Sequence, residues 1–374
     1  MDARTDVLVL GGGLVGSSAA FFLRQRGLAV TLLERERVGR QASGTNFGNV
    51  RRQGRALEQI PLANRARVVW GRAQALVGED LEFEPLGHLR VGWTDERAAS
   101  FEQHARDVRA LGLELEVLGR EQLAERYGLF APGIVVGSLS PRDGHANPRL
   151  AGPAFARAAR RAGAEVIEDA EVAHIARTGS EGYVVETRDG RSFRAARLLL
   201  CCGAWSQPLA AQLGEQVVIE ARGPQMGVTE PLPWAIGPSI GVSTPVKREG
   251  LYFRQVRRGN VVFGGGYHGP ASTETGLAQV LPQHTLGQLH ELRRLVPRFA
   301  QAQLIRVWSG VEGYTTDLRP VMGATGLPGA YVAFGFCGEG FALGPGVGDV
   351  MAELIDTGRS ETPIEAFSPA RFRS

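Results

Sequence analysis

The segment DVLVLGGGLVGSS, residues 6–18, decides the fold. It places an apolar run of buried-strand length directly before the pattern G-x-G-x-x-G, whose glycines are Gly11, Gly13 and Gly16. Gly11 permits a tight turn, Gly13 lets the backbone approach a pyrophosphate, and Gly16 lets the following helix pack on the strand. The motif alone is a weak signal, but between a strand and a helix it predicts a dinucleotide-binding site.

The residues that follow complete a β-α-β unit. Residues 14–26 have helical spacing, and residues 29–33 form a second apolar run that is closed by Glu34. The amide groups of Leu14 and Val15, at the start of the helix, are placed to meet phosphates. Glu34 lies about twenty residues beyond the motif, where an acidic side chain accepts hydrogen bonds from ribose hydroxyls and disfavours a 2′-phosphate. The alternative is a glycine turn in another kind of α/β protein, with Glu34 an ordinary surface carboxylate.

The composition excludes several other classes of protein. The chain has 374 residues and 50 glycines, which suits a large globular protein in which the backbone often approaches other groups closely. Its formal net charge is +3, but Lys247 is its one lysine, and arginines alternate with acids, as in residues 34–37. Without a basic face carrying interleaved aromatic residues, we expect no nucleic-acid partner.

The cysteines and the apolar runs limit the cellular setting. Cys201, Cys202 and Cys337 form neither a disulfide framework nor a C-x-x-C pair, so we predict no metal site and a reduced, cytoplasmic setting. The amino terminus shows no signal-peptide pattern. No window approaches ~18 apolar residues, so we predict no membrane span.

Beyond the first unit, helical and strand-like patterns alternate. A polar, glycine-rich loop is predicted at residues 42–55. The predicted helices are residues 57–76, 96–111, 149–162, 286–295 and 346–355. The predicted strands are residues 86–92, 172–175, 183–186, 193–202, 217–228, 251–256, 261–265 and 330–334. A glycine loop is expected between the last strand and the last helix.

This order of elements favours FAD over NAD. An NAD enzyme normally continues with βα units in one open sheet, whereas this chain inserts a polar loop, a three-stranded meander and further antiparallel strands. The expected fold class is α/β, in the mixed α+β sense, with a discontinuous Rossmann-type FAD-binding domain and a substrate domain built on an antiparallel sheet. The expected FAD-binding segments are residues 1–80, 145–215 and 317–374, and the expected substrate-domain segments are residues 81–144 and 216–316.

Short motifs are spread along nearly the whole chain. They are Ala42-Ser43-Gly44-Thr45-Asn46, Pro141-Arg142-Asp143-Gly144, Cys202-Gly203-Ala204-Trp205-Ser206, Trp308-Ser309-Gly310, Asp317-Leu318-Arg319-Pro320 and Gly338-Glu339-Gly340-Phe341. With the first unit, their order and spacing resemble the D-amino-acid oxidase family of flavoproteins, which includes glycine oxidase and sarcosine oxidase. Residues 308–313 and 335–338 resemble more closely the β subunits of multi-subunit dehydrogenases that oxidise D-hydroxyproline, proline or opines.

The resemblance implies a set of FAD contacts. Residues 43–46 would follow the pyrophosphate and ribityl chain, Val172 would meet the adenine, and residues 338–341 would lie under the isoalloxazine ring. Ordinary turn chemistry is the alternative for Ser43 and Asn46, and core packing is favoured for Trp205. The candidate cofactor residues are Gly11, Gly13, Leu14, Val15, Gly16, Glu34, Arg35, Ser43, Gly44, Thr45, Asn46, Gly48, Val172, Gly203, Trp205, Cys337, Gly338, Glu339, Gly340 and Phe341. We expect noncovalent FAD, with a covalent link through Cys337 left open.

Two departures from the family pattern bear on the reaction. Relatives of glycine oxidase carry an arginine that clamps the substrate carboxylate where this chain has Glu312. Glu312 would instead meet a substrate ammonium or hydroxyl, or pair with an arginine such as Arg306. Monomeric sarcosine oxidase uses a lysine beside the flavin to activate oxygen, and Gly264 falls at that place here. We therefore expect a dehydrogenase that passes its electrons to a partner, with an arginine in the lysine's role as the alternative.

The substrate carboxylate still needs a cation. Arg52 and Arg254 are the candidates, because an arginine can hold a carboxylate with two parallel hydrogen bonds, and Tyr252 would add a hydroxyl donor. A structural or solvated ion pair is the alternative for both arginines. Lesser candidates are Tyr267, His268 and Tyr314.

The expected function is oxidation of a small amino acid, with a secondary or cyclic amine, by hydride transfer from the α-carbon to flavin N5. The protein would be one subunit of an electron-transferring assembly. The alternatives are an oxygen-using glycine or D-amino-acid oxidase, and a flavoprotein subunit without catalysis.

Overall fold

The computed structural model of the protein describes residues 4–179, 182–242, 244 and 250–373. Lys247 lies outside the described residues. The helices of the described residues are α1 (Leu14–Gln25), α2 (Ala42–Thr45), α3 (Ile60–Val77), α4 (Asp95–Arg109), α5 (Arg120–Arg126), α6 (Pro148–Arg161), α7 (Ser206–Gln212), α8 (Pro282–Leu295) and α9 (Gly340–Thr357).

The strands of the described residues fall into four sheets, and their bounds follow in chain order. They are β1 (Arg4–Leu10), β2 (Val30–Leu33), β3 (Asn49–Val50), β4 (His88–Gly92), β5 (Glu116–Gly119), β6 (Val136–Ser140), β7 (Gly144–His145), β8 (Glu165–Ile167), β9 (Val172–Arg177), β10 (Tyr183–Thr187), β11 (Ser192–Leu200), β12 (Ile219–Gly223), β13 (Gln225–Pro231), β14 (Ser239–Val242), β15 (Tyr252–Gln255), β16 (Asn260–Gly264), β17 (Gly269–Ser272), β18 (Leu277–Ala278), β19 (Leu304–Ser309), β20 (Glu312–Thr315), β21 (Val321–Ala324) and β22 (Ala330–Phe334).

The first sheet has a parallel centre in the order β22-β11-β1-β2-β8. Its strand β1 is buried on both faces, as its continuous apolar sequence requires. Val7 and Val9 point to the side covered by α1, α6, α3 and α9, whereas Leu8 and Leu10 point to the side covered by the β9-β10 meander and α7. The predicted strand–glycine turn–helix–strand unit is confirmed, and it lies in the middle of this sheet.

The second sheet has eight strands in the order β19-β13-β16-β15-β14-β4-β6-β5. All its pairs are antiparallel except β14 with β4. Along β15 the side chains alternate, so that Phe253 packs into a core with α5 and α8, whereas Tyr252 faces the other side. The predicted α/β class with a Rossmann-type unit and a largely antiparallel second sheet is confirmed.

The sheets draw on separate parts of the chain. The first sheet takes its strands from residues 4–33, 165–200 and 321–334, and the second from residues 88–140 and 225–309. The division into an FAD-binding and a substrate domain, with the boundaries given above, stays a prediction. Two smaller sheets, β18-β17-β12-β20 and β3-β7, complete the described strands; β3, β7, β12 and β20 lie between these parts of the sequence, and β17 and β18 lie within residues 225–309.

The prediction for the last helix was wrong at its start. The glycine loop was expected to reach residue 345, but α9 begins at Gly340 and contains Pro345. Its glycines serve close helix packing, because a Cβ on Gly346 would lie 2.5 Å from the Ala66 Cα on α3, and one on Gly348 would lie 2.2 Å from the Ser18 Oγ on α1. The predicted loop at residues 42–55 likewise contains the short elements α2 and β3.

Among the described residues, the helices offer no segment with the length and apolarity needed to cross a lipid bilayer.

Candidate active site

A cavity of about 920 Å³ opens where the parallel strands of the first sheet end. Its lining includes the residues that directly follow β1, β2, β11 and β22. Ligands of open α/β sheets bind at the carboxyl ends of the strands, and pockets for small molecules span ~300–1,000 Å³. The opposite wall comes from the second sheet and from β20, so the cavity lies between the two largest sheets.

The glycine turn after β1 is closely packed. Gly11 has φ +100°, and a Cβ at this position would lie 2.6 Å from the Cys201 carbonyl oxygen. A Cβ on Gly16 would lie 1.9 Å from the Gly11 carbonyl oxygen, so α1 can approach β1 only with glycine here. The Ser43 hydroxyl accepts a hydrogen bond from the Leu14 amide at 2.8 Å, which brings the 42–46 segment over the amino terminus of α1.

Glu34 braces the end of β2 against the glycine turn. Its Oε2 accepts a hydrogen bond from the Gly12 amide at 2.6 Å, and its Oε1 accepts one from the Glu36 amide at 2.9 Å. Burial raises the pKa of Glu34, and the two amides oppose that shift. A carboxylate can accept about four hydrogen bonds. Glu34 therefore holds the turn and still has acceptor capacity toward the cavity that it lines.

Trp205 lies at the cavity surface, and the preference for core packing was wrong. Its indole Nε1 donates to the Thr273 carbonyl oxygen at 2.6 Å, and the Arg35 guanidinium lies 3.9 Å from its ring centroid. The ring is partly exposed and lines the cavity together with Arg35 and Val172.

Most of the predicted cofactor residues line this one cavity. Three do not, and each has a packing role. A Cβ on Gly44 would lie 2.3 Å from the Gly39 carbonyl oxygen, and the Thr45 carbonyl accepts a hydrogen bond from the Trp308 indole at 2.7 Å. Those that line the cavity are Gly11, Gly13, Leu14, Val15, Glu34, Arg35, Ser43, Asn46, Gly48, Val172, Gly203, Trp205, Cys337, Gly338, Glu339, Gly340 and Phe341, and those that do not are Gly16, Gly44 and Thr45.

The segment from Cys337 to Phe341 turns from β22 into α9 beneath the cavity. Cys337 has φ +52° and Gly338 has φ +83°, which makes Cys337 a non-glycine residue in a conformation that glycine favours. Glu339 is the residue that precedes the first turn of α9, so the positive end of this 18-residue helix faces the cavity.

Arg52 and Arg254, the predicted substrate arginines, do not line the cavity. Arg52 is buried and donates from Nε to the Asp143 carboxylate at 2.7 Å. Arg254 donates from Nε to the Phe47 carbonyl oxygen at 2.8 Å and from Nη1 to the His145 ring at 3.1 Å, and burial lowers its pKa to about 10. Both side chains donate to the protein itself, Arg52 in a structural ion pair and Arg254 to a backbone carbonyl and a histidine ring.

Two neighbouring arginines that the sequence interpretation missed do line the cavity. Arg51 donates to the Glu339 carboxylate at 3.2 Å, and Arg55 pairs with the other oxygen of the same carboxylate. Arg55 is buried and also donates from Nε and Nη2 to the Arg51 carbonyl oxygen, whereas the Arg51 side chain is 26% exposed. Two guanidinium groups thus meet one carboxylate. The available signal was their place in the polar loop predicted at residues 42–55, which also contains Arg52.

The opposite wall carries Tyr252, Glu312, Tyr314 and His268. Of the lesser candidates, Tyr267 is exposed and does not line the cavity. Tyr252 is paired across the sheet with Gly264, and a Cβ on Gly264 would lie 2.4 Å from the Tyr252 ring. The tyrosine ring therefore fills the space that a side chain at position 264 would need.

Residues 6–354 match the DAO family, which is described as FAD dependent oxidoreductase. The chain belongs to this family. Glycine oxidase of Geobacillus kaustophilus (strain HTA426) is 28% identical to it over 99% of this chain and 98% of the relative. An opine oxidase subunit of Rhizobium meliloti is 26% identical over 99% of this chain and 98% of the relative. The crystal structure of L-proline dehydrogenase from P. horikoshii is similar with a TM-score of 0.92 and 26% identity, over 100% of this chain and 98% of that one.

The residues of this FAD-dependent oxidoreductase suit its cofactor. The turn from Gly11 to Gly13 leaves the backbone bare beside the amino terminus of α1, where a pyrophosphate is favoured. Glu34 would take the ribose hydroxyls and Val172 would contact the adenine. The start of α9 would face the isoalloxazine ring. The predicted family, enzyme class and FAD cofactor are thus confirmed, whereas these individual contacts stay predictions.

Proposed function

We propose that this flavoprotein oxidises a small amino acid whose reacting nitrogen is secondary or part of a ring, and that it passes the electrons to a partner protein. The observation that carries the proposal is that Arg51 and Glu312, a cation and an acid, line the same cavity as the FAD residues. A zwitterionic substrate needs both. FAD, when bound, supplies the chemistry by accepting a hydride from the carbon next to the amine, which leaves an imine.

The names of the relatives support this substrate class. Glycine oxidase, L-proline dehydrogenase and the opine oxidase subunit are named for small amino acids or their derivatives. One of these is named as part of a larger enzyme, which supports a hetero-oligomeric assembly for this chain as well. The partner would take the electrons.

Arg51 is the residue proposed to hold the substrate carboxylate. The Arg51, Arg55 and Glu339 groups carry one net positive charge, and Arg55 is buried and directs three of its donors to the protein. Arg51 keeps donors for a ligand, because two of its contacts, to the Gln53 carbonyl and to Glu339, leave part of its five-donor guanidinium unused. Charge-assisted hydrogen bonds of this kind fix the α-carbon in place.

Replacing Arg51 with methionine is expected to weaken amino-acid binding roughly 10- to 100-fold, the loss typical of a hydrogen bond to a charged group. FAD should remain bound, since Arg55 still pairs with Glu339. The concentration dependence of anaerobic flavin reduction measures the effect. Arg106→Met on α4, where the side chain is 63% exposed, is the matched control. If Arg51→Met bound amino acids as tightly as the wild type, Arg51 would not be the residue that holds the substrate carboxylate.

The wall around Tyr252 supports an electron acceptor other than oxygen. A cation beside the flavin would favour superoxide by electrostatic stabilisation. At position 264 the tyrosine ring leaves no room for a lysine side chain. We therefore propose slow reoxidation by oxygen and faster reoxidation by a protein or artificial acceptor. Arg51, which lines the cavity and pairs with Glu339, is the cation that would take the lysine's role if the protein used oxygen.

The flavin is proposed to be noncovalent. The Cys337 thiol lines the cavity, but it lies 3.4 Å from both the amide and the hydroxyl of Thr315, and burial raises its pKa. A raised pKa lowers the fraction of thiolate, which is the nucleophilic form. Cys337 is thus poorly suited to form a bond with the flavin.

The test is anaerobic bleaching of the purified yellow protein by sarcosine, both prolines, hydroxyprolines, glycine and opines. We expect secondary or cyclic amines to reduce the flavin fastest. Turnover with an artificial acceptor should exceed turnover with oxygen; the reverse would make the protein an oxidase. A flavin that none of these compounds reduces would identify a subunit without this catalysis and end the proposal.

A further inference from the structure

Glu312 presents a partly buried carboxyl group to the cavity. It lies on β20, and its Oε2 accepts a hydrogen bond from the Tyr314 hydroxyl at 3.1 Å. A Cβ on Gly338 would lie 3.7 Å from this oxygen and 3.2 Å from the Tyr314 hydroxyl oxygen. The carboxyl group therefore lies next to the segment that turns into α9. Glu339, the residue after Gly338, forms the ion pair with Arg51. The acid and the cation therefore both lie close to one short segment, residues 338–339.

The charged and titratable groups around Glu312 do not take the place of a substrate ammonium beside its carboxylate. On β12, Arg222 is its register partner, but the Arg222 guanidinium pairs with Glu220 at 2.6 Å and lies 4.7 Å from the Tyr314 ring centroid. The His268 ring is 5.3 Å from the Tyr314 ring. The remaining neighbours are Tyr252 on β15, and Cys337 and Glu339 before α9.

Arg306, the pairing partner considered from the sequence, is exposed on the edge strand β19, whereas Glu312 lines the cavity. Burial raises the pKa of Glu312 to about 7, and the hydrogen bond from Tyr314 opposes that shift. The same low-dielectric surroundings lower the pKa of an ammonium placed beside it. Together the two shifts favour a neutral Glu312 acid and a neutral substrate amine over the pair of Glu312 carboxylate and substrate ammonium.

We propose that Glu312, held by Tyr314, receives the proton of the substrate ammonium and so limits the enzyme to amino acids whose reacting nitrogen arrives as a cation. This inference rests on the proposed amine oxidation. In the step, one N–H bond of the ammonium breaks and one O–H bond forms on Glu312, with no change of oxidation state. The nitrogen gains the lone pair that it needs to form a C=N bond when hydride leaves the neighbouring carbon. Tyr314 is a positioning residue.

Two ligands distinguish the contribution of the substrate ammonium to binding from that of the carboxylate. Racemic 2-methylproline keeps both groups but has no hydrogen on its α-carbon, so it binds without being oxidised there. Racemic tetrahydro-2-furoate has the ring and the carboxylate but oxygen in place of the amine. Binding of each is followed by perturbation of the flavin spectrum between pH 5.5 and pH 9, values chosen to bracket the pKa of about 7 of Glu312.

We expect the affinity of the wild-type protein for 2-methylproline to fall about tenfold per pH unit below pH 7, because protonation of Glu312 removes the acceptor. Binding should be independent of pH above that value. Tetrahydro-2-furoate should show no such fall. Glu312→Gln should lose roughly 10- to 100-fold in affinity for 2-methylproline together with its pH dependence, and should keep its affinity for tetrahydro-2-furoate. Tyr314→Phe should move the pH break upward, since the donor that stabilises the carboxylate is gone.

Glu186→Gln, an exposed position on β10, is the matched control and should behave as wild type. The inference is overturned if the affinity for 2-methylproline has the same pH profile in the wild type and in Glu312→Gln. It is also overturned if Glu312→Gln loses affinity for 2-methylproline and tetrahydro-2-furoate to the same extent. If Glu312→Gln does not retain flavin, the Tyr314→Phe protein tests the inference instead: an upward move of its pH break supports the inference, and an unchanged break overturns it. Amino acids that bleach wild type and Glu312→Gln alike would leave the proposed function standing without this step, whereas a wild-type flavin that no amino acid bleaches would refute the proposed function itself.

Discussion

The Gly16→Ala protein is expected to purify without FAD and to unfold at a lower temperature than the wild type. A Cβ at this position would lie 1.9 Å from the Gly11 carbonyl oxygen and 3.3 Å from the Val9 side chain. Neither neighbour can yield, because Val9 is fully buried and the Gly11 backbone is fixed by the turn after β1. Relief requires α1 to move away from β1, which displaces the helix start from the place proposed for the pyrophosphate.

The expected cost is at least ~1–3 kcal/mol of stability, as for other overpacked cores, with nearly complete loss of the yellow colour. The ratio of flavin to protein absorbance and the thermal midpoint measure the two effects. Gly287→Ala on α8 is the control, because a Cβ there meets nothing within 4 Å and alanine is the better helix former. A Gly16→Ala protein with full flavin content and an unchanged midpoint would show that the turn tolerates a side chain.

The cofactor half of the site could be predicted because its signals are local. Gly11, Gly13 and Gly16 lie within six residues, and Glu34 directly follows the next strand, so spacing along the chain already indicates their arrangement in space. The start of α9 escaped prediction for the opposite reason. Its glycines and Pro345 favour a loop by propensity, but α1 and α3 pack so closely against them that only glycine fits.

The substrate half could not be derived in the same way, since its residues come from distant parts of the chain, with Arg51 after β3, Tyr252 on β15 and Glu312 on β20. Tyr252 and Gly264 face each other across β15 and β16, and nothing in the spacing of these two residues indicates that one ring fills the space of the other. The choice between Arg51 and Arg52 depends on one residue, because neighbouring side chains of an extended segment point to opposite sides. Of these two neighbours, Arg51 lines the cavity and Arg52 does not, and the role of Arg51 as the substrate cation stays a proposal.

Arg52→Met is expected to destabilise the protein by about 3–5 kcal/mol, the cost of leaving a buried charge without its partner. Asp143 is fully buried and accepts two hydrogen bonds from Arg52, one from the amide and one from Nε, each at 2.7 Å. Denaturant unfolding of the FAD-loaded protein measures the loss. Flavin reduction by amino acids should keep the wild-type concentration dependence in the protein that remains folded.

A double-mutant cycle distinguishes a structural Arg52–Asp143 ion pair from a role of Arg52 in substrate binding. Asp143→Asn removes the buried charge, so Arg52→Met should cost less in that background than in the wild type, by more than the ~0.5 kcal/mol within which independent sites add. Arg51→Met should show the reverse pattern, with weaker substrate binding at unchanged stability. If Arg52→Met instead weakened substrate binding and left stability unchanged, the substrate cation would be the one first predicted from the sequence, and the cavity lined by Arg51 would need another explanation.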